Sequence, residues 1–229
     1  MATDILFQGL SCVVHDLGLI DYVQALQRQR EEVERVVKED VAALLLCEHP
    51  TVLTLGRLAT EANILYPREY FNKLGIDMIR IDRGGEITLH APGQLVIYPI
   101  LNLNRFGRDL RRYLQKLEQV AVDLLQEFDI VATSFEGKRG VWVGAKKIAS
   151  IGVGVKKWVT YHGMAVNVNT DLRLFSMIRP CGLDVQMTSI NVLSATTVDM
   201  GQVKRKIVEN FIRHFHLSIQ GYYREVPRA

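Results

Sequence analysis

Two kinds of side chain in this sequence can do nucleophilic chemistry together. Cys181 sits in Ile178-Arg179-Pro180-Cys181-Gly182-Leu183, where a proline stiffens the backbone before the thiol and a glycine frees it afterwards. The pair Lys146-Lys147 precedes it, Lys147 by 34 positions, enough for a hairpin to bring the groups face to face. A thiol is a weak nucleophile until it loses its proton, and a nearby ammonium favours the thiolate. Neighbouring strand residues point to opposite faces, so only one of the two lysines can face a pocket. Lys147 shares its face with Ala149 and Ile151, and Lys146 shares its face with Ile148 and Ser150. Parity alone does not choose between them.

A second candidate stretch is Arg83-Gly84-Gly85-Glu86-Ile87-Thr88-Leu89-His90-Ala91-Pro92-Gly93-Gln94. The two glycines let a ligand approach the backbone closely, and Arg83 and His90 bracket the loop as polar contacts. Tyr161-His162-Gly163-Met164-Ala165 lines a pocket through its small residues or makes a β-turn. His49, His162, His214 and His216 have no partner readable from sequence and are taken as structural or surface groups. Cys12 and Cys47 lie in apolar runs and read as small buried hydrophobes. With three cysteines and no C-x-x-C pair, neither a zinc site nor a disulfide framework is expected. A net charge of +3 is too small to imply nucleic acid. Two basic clusters, Arg105/Arg108/Arg111/Arg112 and Lys138/Arg139/Lys146/Lys156/Lys157, suit solvated faces or an acidic protein partner.

The elements that must position these groups follow from periodicity. Residues 3–14 read as a strand. A helix follows Asp16 or Gly18, with Tyr22, Ala25, Leu26, Val33, Val36 and Val37 at helical steps. Residues 41–47 and 51–55 are buried strands broken by Glu48-His49-Pro50, 66–74 is a short helix opening at Pro67, and 77–81 is a strand. Residues 86–98 are β again, interrupted by Ala91-Pro92-Gly93. A long amphipathic helix covers about 109–128. Four further strands fall within 130–168. Asp171 caps a short helix, Thr188 or Ser189 caps another, and a final helix covers about 199–215. Strands and helices interleave irregularly, which argues an α+β fold with a mixed sheet in one domain, 1–229, rather than a regular βαβ array. No apolar run spans a membrane and the N-terminus has no secretory or transit character, so a cytoplasmic setting is expected.

Several separated motifs, in one order, resemble the octanoyltransferases of lipoate assembly, the lipoyl(octanoyl) transferases. They are Glu48-His49-Pro50 through Leu55-Gly56-Arg57, the run at 83–94, GAKKIASIG at 144–152, HGMAVNVN at 162–169, and RPCGL with Thr188-Ser189. The resemblance implies a biotin/lipoyl ligase-like α+β fold. It also implies transfer of an octanoyl group from acyl carrier protein to a lysine of a lipoyl domain, through a cysteine thioester and without a cofactor. The acceptors it implies are the lipoyl domains of 2-oxoacid dehydrogenases and the glycine cleavage H protein. Carried over by position, the acylated cysteine is Cys181 and its activating lysine is Lys147, which directly precedes the IASIG-like segment. Substrate-lining segments fall on Arg83, Gly84, Gly85, Glu86, Ile87, Thr88, Leu89 and His90, on Ser150, Ile151 and Gly152, and on Gly163, Met164 and Ala165. Leu89 stands where the family usually has an aromatic residue and Ala91 where it has a glycine, which implies an altered pocket width. The alternatives are an ATP-dependent lipoate or biotin ligase, a lipoyl amidotransferase between carrier domains, and a non-catalytic acyl-binding protein. The ligases need a lysine but no nucleophilic cysteine, so RPCGL favours transfer. The tetrahedral oxyanion is expected to be held by backbone N–H groups around Cys181 and Lys147.

Overall fold

A computed structural model describes residues 9–179 and 185–225. Its centre is residues 41–47, whose unbroken apolar run is explained by burial on both faces. Strand β1 (Leu10–Leu19) precedes helix α1 (Tyr22–Glu39), and β2 (Ala42–Glu48) follows. Along β2, Ala43, Leu45 and Cys47 pack toward α1 with Ala25, Val33 and Val36. Ala42, Leu44 and Leu46 face the opposite core. A fully buried leucine contributes roughly 1.5–3 kcal/mol relative to exposure, so this strand anchors both layers.

The next elements build a separate small sheet. They are β3 (Val52–Leu55), α2 (Arg68–Lys73), β4 (Asp77–Arg80) and β5 (Ile87–His90). Its order is β4-β3-β5, with β3 parallel to β4 and antiparallel to β5. The chain then returns to the large sheet with β6 (Gln94–Ile100), crosses its far face as α3 (Leu110–Gln126), and adds β7 (Thr133–Phe135), β8 (Lys138–Val143), β9 (Lys146–Lys156) and β10 (Val159–Asn167). A 3₁₀ turn at Leu172–Met177, the short α4 (Ile190–Leu193), α5 (Met200–Phe215) and β11 (Leu217–Arg224) complete it. Among the described residues the large sheet runs β11-β1-β2-β6-β10-β9-β8-β7. Its β1 pairs parallel with both β2 and β11, and the remaining pairs are antiparallel. The fold is α+β, with a mixed sheet flanked by α1 on one face and by α3 and α5 on the other.

Aspartates start the long helices. Asp21 accepts from the Val23 and Gln24 N–H groups, Asp109 from Arg112 and Asp199 from Gln202, each satisfying donors that have no intrahelical acceptor. Two boundaries differ from the sequence reading, and one cap differs in its bonding. The first strand continues to Leu19, beyond the expected end at 14, because the polar Asp16 is held in the strand by Lys204 at 2.6 Å, and the expected start at residue 3 lies outside the described residues. The following helix is capped by Asp21, not Asp16 or Gly18. Ser189 stands at the N-cap of α4 but its hydroxyl makes no capping bond. Strand β11 was not expected at all. Among the described residues no helix is long and apolar enough to cross a membrane.

Candidate active site

The large sheet and the small sheet meet over a cleft of about 560 Å³ of empty space, counted to its open mouth. One wall is the β9–β10 hairpin. Its register pairs Ser150 with Ala165, Ile151 with Met164 and Gly152 with Gly163. The opposite wall is the Arg83–His90 segment. Gly163 is required because a Cβ there would fall 2.2 Å from the Ile97 carbonyl oxygen on β6. Gly152 is required because a Cβ would fall 2.8 Å from the Gly84 carbonyl. The bare backbone at Gly152 lets the loop close onto β9, where Gly84 N–H donates to Val153 O at 2.8 Å.

The loop is fastened from its other side by Arg83. One guanidinium nitrogen donates to Thr54 O at 2.9 Å and to Thr54 Oγ1 at 3.0 Å, and another donates to Gly84 O at 3.0 Å. Gly56, Arg57 and Leu58 add three backbone bonds to Glu86, Arg83 and Gly85. Glu86 is tied to the Asn63 side-chain amide. Arg83 thus serves as the loop's rivet as well as part of its lining.

Toward the inside of the cleft lie buried histidines that burial keeps neutral. The Gln94 amide donates to Asn167 Oδ1 at 2.9 Å, so its oxygen is the acceptor at 2.7 Å from His90 Nδ1, which assigns the proton to that nitrogen. Asn167 in turn donates to Thr188 O at 3.0 Å. Burial first, then the neighbouring His49, hold His90 well below the usual histidine range. His49 donates from Nδ1 to Ile20 O at 2.7 Å and accepts at Nε2 from the Tyr98 hydroxyl at 2.8 Å. Burial pushes its pKa down to about 4. Tyr22 stacks on His90, with ring centroids 5.8 Å apart. His162, at φ +54°, donates its backbone N–H to Gln29 Oε1 at 2.7 Å and sets Nε2 3.2 Å from Asp82 Oδ1. Burial, partly opposed by Asp82, brings its pKa down to about 4.

At the other end lies Lys147. It is 3% exposed and lines the cleft, whereas Lys146 is exposed, which separates the two lysines that parity could not. Lys147 N–H donates to Gln186 O at 2.9 Å, and Thr188 N–H donates to Lys147 O at 2.9 Å. The stretch around Met187 therefore pairs with β9 as a parallel bridge. Upstream, Arg179 N–H is held by Asn63 O at 2.8 Å. Cys181 lies outside the described residues, between these two fixed points in the chain. The Lys147 N–H, expected as an oxyanion donor, is instead spent on Gln186. The other two cysteines are unsuited to nucleophilic work. Cys12 and Cys47 are fully buried, and burial pushes the Cys12 thiol up to about 12 and the Cys47 thiol higher still.

Of the residues expected to line the site, Arg83, Gly85, Glu86, Ile87, Thr88, His90, Lys147, Ser150, Ile151, Gly152, Gly163, Met164 and Ala165 surround the cleft. Gly84 and Leu89 do not. Gly84 is the loop's attachment to β9, and Leu89 packs into the small-sheet core with Leu53, Phe71 and Ala91. Substitution at positions 89 and 91 therefore acts on that core rather than on the width of the cleft. Tyr22, Val96, Tyr98 and His162 also line the cleft and were not anticipated. His162 was read as a structural or surface group, and its partner Asp82 lies 80 positions away.

Comparison with known proteins places this geometry. An "Octanoyltransferase" of Syntrophotalea carbinolica is 44% identical over 200 residues, covering 86% of this chain and 92% of its own. One of Geobacter sp. strain M21 is 40% identical over 208 residues, covering 90% and 98%. Among solved structures, a putative lipoate protein ligase from T. acidophilum with bound lipoic acid superimposes with a TM-score of 0.76 at 17% identity, covering 92% of this chain and 87% of that one. A biotin protein ligase from Aquifex aeolicus does so at 0.51 and 13%, covering 90% and 68%. At such identities the structural likeness concerns the fold alone, but residues 21–212 match the family described as lipoyl protein ligase A/B catalytic domain, and to that family this chain belongs.

Proposed function

We propose that this protein is an acyltransferase that moves an octanoyl group from acyl carrier protein to a lysine of a lipoyl domain, through a thioester on Cys181. The observation that carries the reading is Lys147. It is a buried amine that lines the cleft, and its backbone is hydrogen-bonded on both sides to residues 186 and 188, just downstream of Cys181. Relatives at 40–44% identity that bear the name octanoyltransferase support the reaction class.

In the first half-reaction the Cys181 thiolate attacks the thioester carbonyl. The new C–S bond forms, the old one breaks, and the carrier's pantetheine thiolate leaves and takes up a proton. Lys147, as ammonium, holds the attacking sulfur anionic. In the second half-reaction the acceptor's lysine amine attacks the acyl-enzyme, Cys181 leaves as thiolate, and the amine's extra proton passes to a base, a role open to Lys147 when neutral. The β9 stretch from Lys147 to Ile151 is about 13 Å long, enough to lay out an eight-carbon chain. At roughly 0.8 kcal/mol per methylene, about six buried methylenes anchor it by about 5 kcal/mol. Because the thioester is already activated, no ATP enters the scheme. The acceptors are lipoyl domains of 2-oxoacid dehydrogenases and the glycine cleavage H protein.

The test is intact mass after incubation with octanoyl-acyl carrier protein in the absence of ATP. An octanoyl adduct that disappears in Cys181→Ala, and that is discharged by a lipoyl domain, supports transfer. Acylation of the lipoyl domain only from free acid plus ATP would replace the reading with a ligase.

A further inference from the structure

Helix α3 buries a carboxylate that the reaction does not use. Glu118 lies on the apolar stripe of the helix, beside Leu117 and Ala121, and is only 5% exposed. Its Oε1 accepts from the backbone N–H of Gly140 at 3.2 Å and from the Arg139 guanidinium at 3.0 Å. Gly140 belongs to β8 and is itself buried, with φ +117°. A Cβ at Gly140 would lie 2.6 Å from Lys147 Cε and 3.3 Å from Lys147 Nζ. The stem of Lys147 therefore runs directly over the bare α-carbon that Glu118 fixes. Two residues further along β8, Trp142 is the cross-strand partner of Lys147, and the Lys147 Nζ sits 5.4 Å from its ring centroid. An ammonium over an indole face is attracted by the ring quadrupole. A β-bulge between Val141 and Trp142 breaks the regular pairing between these two contacts.

We propose that Glu118 and Trp142 are positioning residues for acyl transfer, Glu118 acting through the Gly140 backbone and Trp142 through its ring, and together seating the Lys147 ammonium. The inference rests on the reading of Lys147 as the lysine that activates Cys181. It explains why a carboxylate occupies a buried position on α3, facing β8, where leucine would pack. Position 140 admits only glycine because its φ is +117° and a Cβ there would lie 2.5 Å from the Ala149 carbonyl oxygen, and the space so kept bare is where the lysine stem passes.

A double-mutant cycle tests it, with iodoacetamide alkylation of Cys181 at neutral pH as the readout, followed by peptide mass to separate this thiol from Cys12 and Cys47. Glu118→Leu removes the acceptor for Gly140 and is expected to slow alkylation about tenfold, because small displacements of a reacting group carry large rate costs. Glu118→Gln keeps an acceptor oxygen and should stay within about threefold of the parent. Trp142→Leu should slow the reaction severalfold and Trp142→Phe less. In a Lys147→Ala background all four substitutions should become silent, which a general packing defect would not do. Should Glu118→Leu fail to fold, Glu118→Asp, which withdraws the carboxylate by one methylene, gives the same comparison with a smaller effect. Equal losses in both backgrounds, or no loss in either while Lys147→Ala is slow, would overturn the proposal and leave the lysine reading standing. If Lys147→Ala itself alkylates like the parent, the reading of the lysine fails instead.

Discussion

The two ends of the cleft handle titratable groups in opposite ways. Around His49, His90 and His162, burial keeps imidazoles neutral, and each ring is tied by hydrogen bonds to tyrosine, glutamine, aspartate or backbone. Around Lys147, an amine is brought into the same enclosed space but set over an aromatic face and threaded past a glycine. One end therefore presents neutral imidazoles beside the Arg83 guanidinium, which is pinned to Thr54 and Gly84, and the other presents a cation on a long stem. The difference divides the labour. Anchoring an acyl chain calls for surfaces that do not change with protonation, whereas activating a thiol calls for a charge whose position is controlled.

The largest expected effect breaks this contrast at its charged end. Lys147→Ala should reduce single-turnover acylation by octanoyl-acyl carrier protein by about 10²–10⁴-fold, the span typical for loss of an acid–base group. Stopped reactions read by intact mass would show it, and a loss below about threefold would remove the lysine from the chemistry.

The next effect probes the neutral end by pH. The His49 pKa falls from 6.5 to about 4 on folding. Between those values the unfolded chain binds a proton that the folded chain refuses, so stability is fully present above about pH 6.5 and declines as pH falls toward 4. The loss from this one residue is about 3 kcal/mol at its limit. Melting temperature measured at pH 7 and pH 4.5 should drop in the parent and drop less in a His49→Gln variant. An identical drop in the two would mean that His49 is not held neutral. Tyr98→Phe sharpens the same point more gently. It removes the hydroxyl donor from His49 Nε2, leaving only the weak Cys47 thiol at 3.4 Å, and should cost about 1 kcal/mol of stability. Acylation with octanoyl donor should barely change, because the ring that lines the cleft remains.

How much of this was legible in the sequence follows the range of the interactions. The buried strands at 41–47 and 51–55, the long helix at 109–128 and the four strands between 130 and 168 are local patterns, and the chain forms them where periodicity places them. The errors arise where distant partners change what a residue can do. Asp16 reads as a residue between the first strand and its helix, but Lys204 on α5 accommodates it inside β1. Strand β11 follows α5 after one residue and exposes Ile219, Tyr222 and Tyr223, so no alternation marks it. It exists because β1 offers a parallel edge. The lining of the cleft by Gly85, Gly152 and Gly163 was readable from glycine spacing and family resemblance together. The outward turn of Leu89 into the small sheet, and the contacts of Tyr98 and His162, depend on pairings 49 to 80 positions apart that no local pattern encodes.

The smallest expected effect is also the control on the whole contrast. Lys146 and Lys147 are adjacent, carry the same charge and lie at the start of the same strand. A bulk electrostatic account, in which cationic surface near the cleft attracts a donor or lowers a thiol pKa, makes the two nearly equivalent, since they differ in position by only about 3.3 Å along the strand. Burial makes them unequal. Lys146 is exposed, so its field is screened by water and salt, while Lys147 acts in a space from which water is largely excluded. Lys146→Ala should therefore change the acylation rate by less than about twofold, and raising salt from 0.05 to about 0.5 M should erase even that difference while leaving the Lys147→Ala defect intact. If the two alanine variants instead fall together, and recover together with salt, the seat formed by Gly140 and Trp142 has no chemical consequence and the charge acts from the surface.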